Sequence, residues 1–348
     1  MQPTNIAIPS LLEIGYELAF DLDRLLKPFA FTKAVMFFDD FAFSAYENRI
    51  VDSVKEIEIH PKIIKGPKSM LELTEEAFQF SAPDVIIAMG GGTIIDYGKF
   101  IASLRKIPFI SMPTSPSNDG FSSSTCSLVV KGQKTTIPAH VPFGIIADLN
   151  IIKTAPVPFI LAGTGDLMSN ITALYDWEFE SSHKKNQINP FAAMISKKAV
   201  NSFVRTPMND LYHPVFLKEL ISSLTMGGIS TVISGNTAPI SGSEHLISHA
   251  MDRLFKKPAM HGLQTGLGAY IMAHVQDHRG ERMRKVFSRT GFFDYVKTLA
   301  IPKSTVEEAV RLSPDIKPER YTYLHDRTYH QKALAFVNED KVLNEILV

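Results

Sequence analysis

The segment Asp84-Val85-Ile86-Ile87-Ala88-Met89 runs without a break into Gly90-Gly91-Gly92, and thirteen residues with apolar positions at helical spacing follow, Thr93 to Arg105. Its apolar run of five, too short for a buried helix and closed by glycines, reads as a strand buried on both faces. A strand that turns directly into a helix and is followed by another short apolar run, Pro108-Phe109-Ile110-Ser111-Met112, is a strand–helix–strand unit. Such a unit demands a parallel sheet with crossover helices. The rest of the first 150 residues agrees. Lys33 to Phe38 is a short apolar run ending at Asp39-Asp40, Glu56 to Ile59 alternates polar and apolar, and Glu72 to Gln79 has a helical pattern. Thr125 to Val130 and Lys134 to Ile137 flank a Lys131-Gly132 turn as a hairpin, and Gly144 to Ala147 is one more strand.

After about Asp148 the texture changes to helices: Asp166–Glu180, Pro190–Val204, Val215–Ser230, Glu244–Phe255 and Gly266–Gln276. The expectation is an α/β N-terminal domain, 1–150, with a Rossmann-like parallel sheet, followed by an all-α domain, 151–348. At 348 residues, 45% hydrophobic and 21% charged, the chain has enough apolar material for two cores. Its 36 basic residues balance 36 acidic ones, which gives no electrostatic reason to expect nucleic acid or an anionic membrane as partner. Cys126 is the single cysteine, so an intrachain disulfide and a multi-thiolate metal site are both excluded. The first 24 residues lack an early basic region, and no uninterrupted apolar run is expected to span a bilayer. A reducing, cytoplasmic location and a small-molecule partner are therefore expected.

Three groups of residues carry candidate chemistry. Gly90, Gly91 and Gly92 let the backbone approach a ligand closely, and the helix N-terminus they open, with Thr93, Ile94, Ile95 and Asp96, directs amide N–H groups at an anion. Thr93 is placed to cap that helix, with Asp96 three residues on. The pattern departs from GxGxxG, since Ile95 takes the third glycine's place, and a ligand-free βα turn would look the same. Asp39, at the end of the first strand, suits a ribose hydroxyl or a plain turn. The second group, Thr114-Ser115-Pro116-Ser117-Asn118-Asp119 with Phe121 to Ser124, is a loop dense in hydroxyls at a strand's C-terminal end. It suits a nucleotide or sugar-like ligand, with Asp119 available to a substrate hydroxyl, and a solvated loop is its plainer reading. In the third, Gly163-Thr164-Gly165-Asp166 is read as opening a helix, Ser241 to Glu244 has capping-box spacing before His245, His249 lies one turn later, and His261 precedes Gly262. Aspartate and histidines from three elements suit Zn²⁺ or Fe²⁺. A capping carboxylate and ordinary core histidines are the alternatives.

At these residues the sequence resembles the glycerol-1-phosphate dehydrogenase family, within the iron-containing alcohol dehydrogenase and dehydroquinate synthase-like superfamily. The blocks GGGTIIDYGK, PTSPSNDGFSSS, GDLMSNITALYDW, SGSEHLISHAMD and MHGLQTG stand in family order between Gly90 and Gly266. The resemblance implies dehydroquinate synthase-like architecture, a homo-oligomer and a metal held by Asp166, His245 and His261. It implies NAD or NADP on Gly92 to Asp96, Thr114 to Ser117 and Ser123, with Asp119, His249 and the metal-bound Asp166 serving the substrate. Iron-type members carry a further His one turn after the aspartate. Asn170 stands there, which implies zinc before iron or nickel. The implied reaction interconverts sn-glycerol 1-phosphate and dihydroxyacetone phosphate. The alternatives are an unphosphorylated polyol substrate or a dehydroquinate synthase-like lyase. Two departures are Asn236, where related sequences often place an arginine, and Leu263, where an acidic residue is common.

Overall fold

The computed structural model describes residues 8–130 and 132–348; Met1 to Ala7 and Lys131 of the expected hairpin turn lie outside them. The chain forms two compact units, Met1–Ala155 and Pro156–Val348.

In the first unit six strands form one parallel sheet. They are β1 (Leu11–Gly15), β2 (Lys33–Phe38), β3 (Glu58–Ile63), β4 (Val85–Gly90), β5 (Phe109–Pro113) and β8 (Gly144–Asp148), in the order β1-β8-β5-β4-β2-β3. Between β5 and β8, the strands β6 (Thr125–Val130) and β7 (Gln133–Pro138) pair as a separate antiparallel hairpin. All six residues of β4 are buried, as a strand must be when it lies inside a sheet covered on both faces. Ala34, Met36, Phe38, Val85, Ile87, Met89, Ile110 and Met112, at alternate positions along three neighbouring strands, pack into one core.

Several expected boundaries move, for physical reasons. The strand expected at Glu56–Ile59 starts two residues later. The Asp23 carboxylate holds the N–H groups of Lys55 and Glu56 in a turn. Pro61, inside β3, is tolerated because β3 is an outer strand of the sheet. The sequence reading omitted β1 and the helix Asp40–Ser53. The helix after β4 begins at Gly92 with Gly91 as its cap. Thr93 is not a capping residue, and the Asp96 carboxylate accepts a hydrogen bond from Ser127 N at 3.1 Å rather than reaching back.

The second unit is helical. The helix Val157–Ser182 is buried all round from Ile160 to Ala173, which makes it the axis of the unit's core rather than an amphipathic surface helix. Gly163-Thr164-Gly165-Asp166 therefore lies inside this helix, two turns from its start, and does not open it. The reason is packing. A side chain on Gly165 would meet the carbonyl of Gly262 and the Phe292 ring, so the glycine permits helix Val157–Ser182 to touch helix His261–Val275 backbone to backbone. Pro190–Arg205, Pro214–Ser234 and Ser243–Leu254 complete the expected set, and five more helices follow from Gly280 to Ile346. Helix Pro214–Ser234 is by length and composition apolar enough to cross a membrane, although Lys218 and Glu219 interrupt its apolar run. About two thirds of its apolar window (67%) is buried inside the protein, as for a core helix.

Candidate functional site

In the first unit, β2 connects to β3 on one side and β4 connects to β5 on the other. The β2–β4 pair is thus the point where the sheet's winding reverses, and the crevice beyond the carboxyl ends of such a pair is where open α/β sheets take ligands. Asp39 and Gly90–Gly92 both lie there. Asp39 caps helix Asp40–Ser53 through Oδ1, accepting from Ala42 N at 2.7 Å, and braces the glycine turn through Oδ2, accepting from Gly91 N at 2.9 Å. Both its oxygens thus serve the fold. Gly90 is hemmed in by the Ile94 side chain and the Asp39 carboxylate, so no side chain fits there. Gly92, Thr93 and Ile94 begin a helix and have no carbonyl one turn back to receive their N–H groups. Ile94 and Ile95 bury their side chains; the Ile94 amide is left able to serve a ligand, whereas the Ile95 amide donates to Gly91 O at 3.2 Å. Thr93 is exposed, and Asp96 is occupied with the hairpin.

The hydroxyl-rich loop joins this turn, since Thr114 N donates to Gly90 O at 2.9 Å. Thr114, Ser115, Pro116 and Ser117 are all buried, against the plain expectation for a serine-rich loop. The Ser115 hydroxyl is enclosed with no hydrogen-bond partner among the described residues, an arrangement that favours a ligand acceptor. Ser123 is turned inward, its hydroxyl donating to the carbonyls of Gly120 and Thr125. Sequence reasoning gave Lys99 no role, yet it is fully buried. Its ammonium donates to Gly120 O and, at 2.7 Å, to Thr125 O, stapling the loop to the glycine helix. Beside it, burial raises the Asp119 carboxyl to about 7 despite the nearby Lys99 charge. The only earlier signal for Lys99 was its place at the end of the GGGTIIDYGK block.

In the second unit three helices supply one cluster. Asp166, His245 and His261 each present a ligand atom, all within 4.8 Å of one another. Asp166 Oδ1 is 3.8 Å from His245 Nε2 and 3.7 Å from His261 Nε2. Because Asp166 sits mid-helix, the capping reading of its carboxylate falls away. The close Gly165–Gly262 approach sets it beside His261. Gln264 bonds Asp252 at 2.8 Å and Ala259 O at 3.0 Å, pinning the turn that presents His261 to helix Ser243–Leu254.

The His245 ring is oriented from behind. Its Nδ1 lies 2.9 Å from Glu244 Oε1, which leaves Nε2 for the cluster. Glu244 is itself held by Gly242 N at 2.6 Å and by the Thr172 hydroxyl at 2.8 Å. Gly242 is the helix cap, so the capping box expected from Ser241 is replaced. Asp176 instead accepts from the Ser243 N–H and hydroxyl. Burial, with the charges of Lys317 and Arg320, holds the His245 imidazole down at about 3, so the ring is neutral. Burial raises both Glu244 and Asp176 to about 7. His249 is brought to the same group, its ring 5.8 Å from that of His261 and 6.4 Å from that of His245. Asn170 is buried one turn beyond Asp166, with its amide nitrogen unpartnered among the described residues.

The donor set suits a divalent cation. Zinc bonds of about 2.0–2.1 Å to nitrogen and oxygen in tetrahedral array place ligand atoms roughly 3.3 Å apart. The Asp–His separations of 3.7 and 3.8 Å need only a small contraction to match. Two imidazoles and one carboxylate would leave a divalent cation net positive charge, the means to bind and polarise a carbonyl or alcohol oxygen.

Residues 13–156 match the family model of iron-containing alcohol dehydrogenase. The glycerol-1-phosphate dehydrogenase [NAD(P)+] of Thermococcus kodakarensis is 37% identical over 279 residues, 79% of this chain and 80% of that one. The enzyme of the same name from Methanosarcina barkeri is 33% identical over 281 residues, 80% of this chain and 79% of its own length. Among solved structures, a probable glycerol dehydrogenase from Sinorhizobium meliloti superposes with a TM-score of 0.78 at 16% identity, covering 97% of this chain and 100% of its own. That likeness speaks for the fold.

Proposed function

Because this chain belongs to the glycerol-1-phosphate dehydrogenase family, we propose that it is an NAD(P)-dependent oxidoreductase acting on a CH–OH group, and that it interconverts sn-glycerol 1-phosphate and dihydroxyacetone phosphate. The single observation that carries a metal-assisted reaction is the convergence of Asp166, His245 and His261 within 4.8 Å.

Asp166, His245 and His261 would hold the cation, and Asn170, standing where iron-type members carry a further histidine, favours zinc. When bound, the cation supplies Lewis-acid polarisation of the ketone and the nicotinamide supplies the hydride. Glu244 keeps His245 in the tautomer and orientation that present Nε2. His249, through a ring nitrogen, gives a proton to the substrate oxygen in reduction and takes it back in oxidation. Asp119 accepts a hydrogen bond from a substrate hydroxyl and fixes its orientation. In the first unit the amides of Gly92, Thr93 and Ile94 receive the dinucleotide's diphosphate, with Gly90, Gly91 and the Asp39 brace setting the turn. Ile95, Asp96, Thr114, Ser115, Pro116, Ser117 and Ser123 form the surrounding wall. A small-molecule substrate and a homo-oligomeric enzyme complete the reading.

One panel tests it: metal content by mass spectrometry, then NADH and NADPH oxidation with dihydroxyacetone phosphate and with dihydroxyacetone. Stoichiometric metal and a strong preference for the phosphorylated ketone are expected. Full activity in a metal-free protein would end the mechanism, and indifference to the phosphate would end the substrate assignment.

A further inference from the structure

A dianionic substrate needs a cation to receive its phosphate, and the position where related sequences often carry an arginine does not provide one. Asn236 is exposed, and its side-chain oxygen closes its own turn by accepting from Ala238 N at 2.9 Å. The second unit holds a different candidate. Helix Lys303–Ile316 packs against helix Ser243–Leu254, which carries His245 and His249, and Lys317 is the residue at its C-terminal cap. Three residues on, Arg320 ties this segment to the start of the histidine helix. Its guanidinium grips the buried Glu180 carboxylate and donates to Ser241 O at 3.1 Å, four residues before His245. Tyr321 N also donates to Glu180, at 3.2 Å. The segment 317–321 is thereby fixed at the mouth of the helix that supplies two of the histidines.

The two cations differ in one respect. Arg320 is neutralised by Glu180. Lys317 is half-buried, and among the described residues its ammonium makes no hydrogen bond and no ion pair. A lysine at a helix C-terminus ordinarily donates to the last carbonyls or reaches water; this one does neither fully. An ammonium partly withdrawn from water is costly unless an anion meets it; the exposed Glu319, two residues on, acts on this one only from a distance, and a ligand's anion in direct contact would relieve the rest. Lys317 stands at the end of the helix packed on Ser243–Leu254, the element that carries His245 and His249; its own proton affinity is lowered by burial and then by Arg320, with Glu319 opposing.

We propose that the Lys317 ammonium receives the phosphate group of the substrate and is the residue that separates phosphorylated from unphosphorylated ketones. This rests on the substrate reading given above. The experiment compares wild type with Lys317→Met, Lys317→Arg and, as a control for general charge loss, Lys257→Met, an exposed lysine before His261. In each, bound metal is measured, and kcat/KM is determined for dihydroxyacetone phosphate and for dihydroxyacetone. A hydrogen bond between charged groups implies a fall of roughly 10- to 100-fold in the ratio of the two constants for Lys317→Met. The fall should appear in KM, with metal retained, and Lys317→Arg should restore much of the ratio. Equal losses on both substrates, or the same fall in Lys257→Met, would overturn the assignment. So would a wild type that prefers dihydroxyacetone phosphate beside a Lys317→Met protein with the same preference. A wild type blind to the phosphate would instead overturn the substrate reading on which this one stands.

Discussion

The two units build their candidate sites from opposite materials. The first presents backbone: amides at the start of helix Gly92–Arg105, shaped by glycines and braced by Asp39 and the buried Lys99. The second presents side chains from three helices, with Glu244 behind His245 at 2.9 Å and Ser248 behind His261 at 3.2 Å. A backbone site tolerates change in the residues around it but fails when a β-carbon enters the turn. A side-chain site fails at single atoms, and its supports matter nearly as much as its ligands.

The sharpest way to break this contrast is His245→Ala. Loss of bound metal and a fall in turnover of roughly a thousandfold or more are expected, while dinucleotide binding, followed by fluorescence titration, should persist. Simultaneous loss of dinucleotide binding would show that the two sites are not built independently. Glu244→Gln probes the support rather than the ligand, and metal affinity should weaken about 10- to 100-fold in a chelator competition. An unchanged affinity would remove Glu244 from the account. The mirror experiment is Gly90→Ala. Overpacking against Ile94 and Asp39 costs about 1–3 kcal/mol, so dinucleotide affinity should drop roughly tenfold while metal content stays at the wild-type level.

The smallest effect concerns pH. Burial raises Asp119 to about 7, whereas an unfolded aspartate titrates near about 4. Between those values the folded form holds a proton that the unfolded form has released, so stability falls as pH climbs through the window. Asp176 and Glu244 act with the same sign. Asp119→Asn should therefore flatten the decline in melting temperature between about pH 4 and pH 7 without abolishing it. An unaltered slope would mean that Asp119 is not desolvated in the protein.

The sheet was readable because buried parallel strands are continuous apolar runs: Lys33–Phe38 coincides with β2 residue for residue. β1 was not, because an outer strand of five residues with Glu13 at its centre has no such run. The glycines show a subtler limit. Gly90–Gly92 and Gly163–Gly165 look alike as sequence, yet the first shapes a turn and the second lets two helices touch. Spacing carries no information about what lies across a core. The same holds for Lys99, Glu244 and Lys317. Their roles are made by partners 21 to 72 residues away, or by the want of one. Glu244 was visible only as a capping residue, and its hold on His245 depends on Thr172 from another helix.

The candidate triad Asp166, His245 and His261 spans helices Val157–Ser182, Ser243–Leu254 and His261–Val275. A cation seated there would be a cross-link among three separate rods of the bundle. Loading then acts as a thermodynamic rivet: once free ion exceeds its dissociation constant, each tenfold rise adds about 1.4 kcal/mol to the folded state. Chelation would loosen the helical half and leave the sheet half as it was, so a calorimetric scan should split into two melts as the ion is withdrawn.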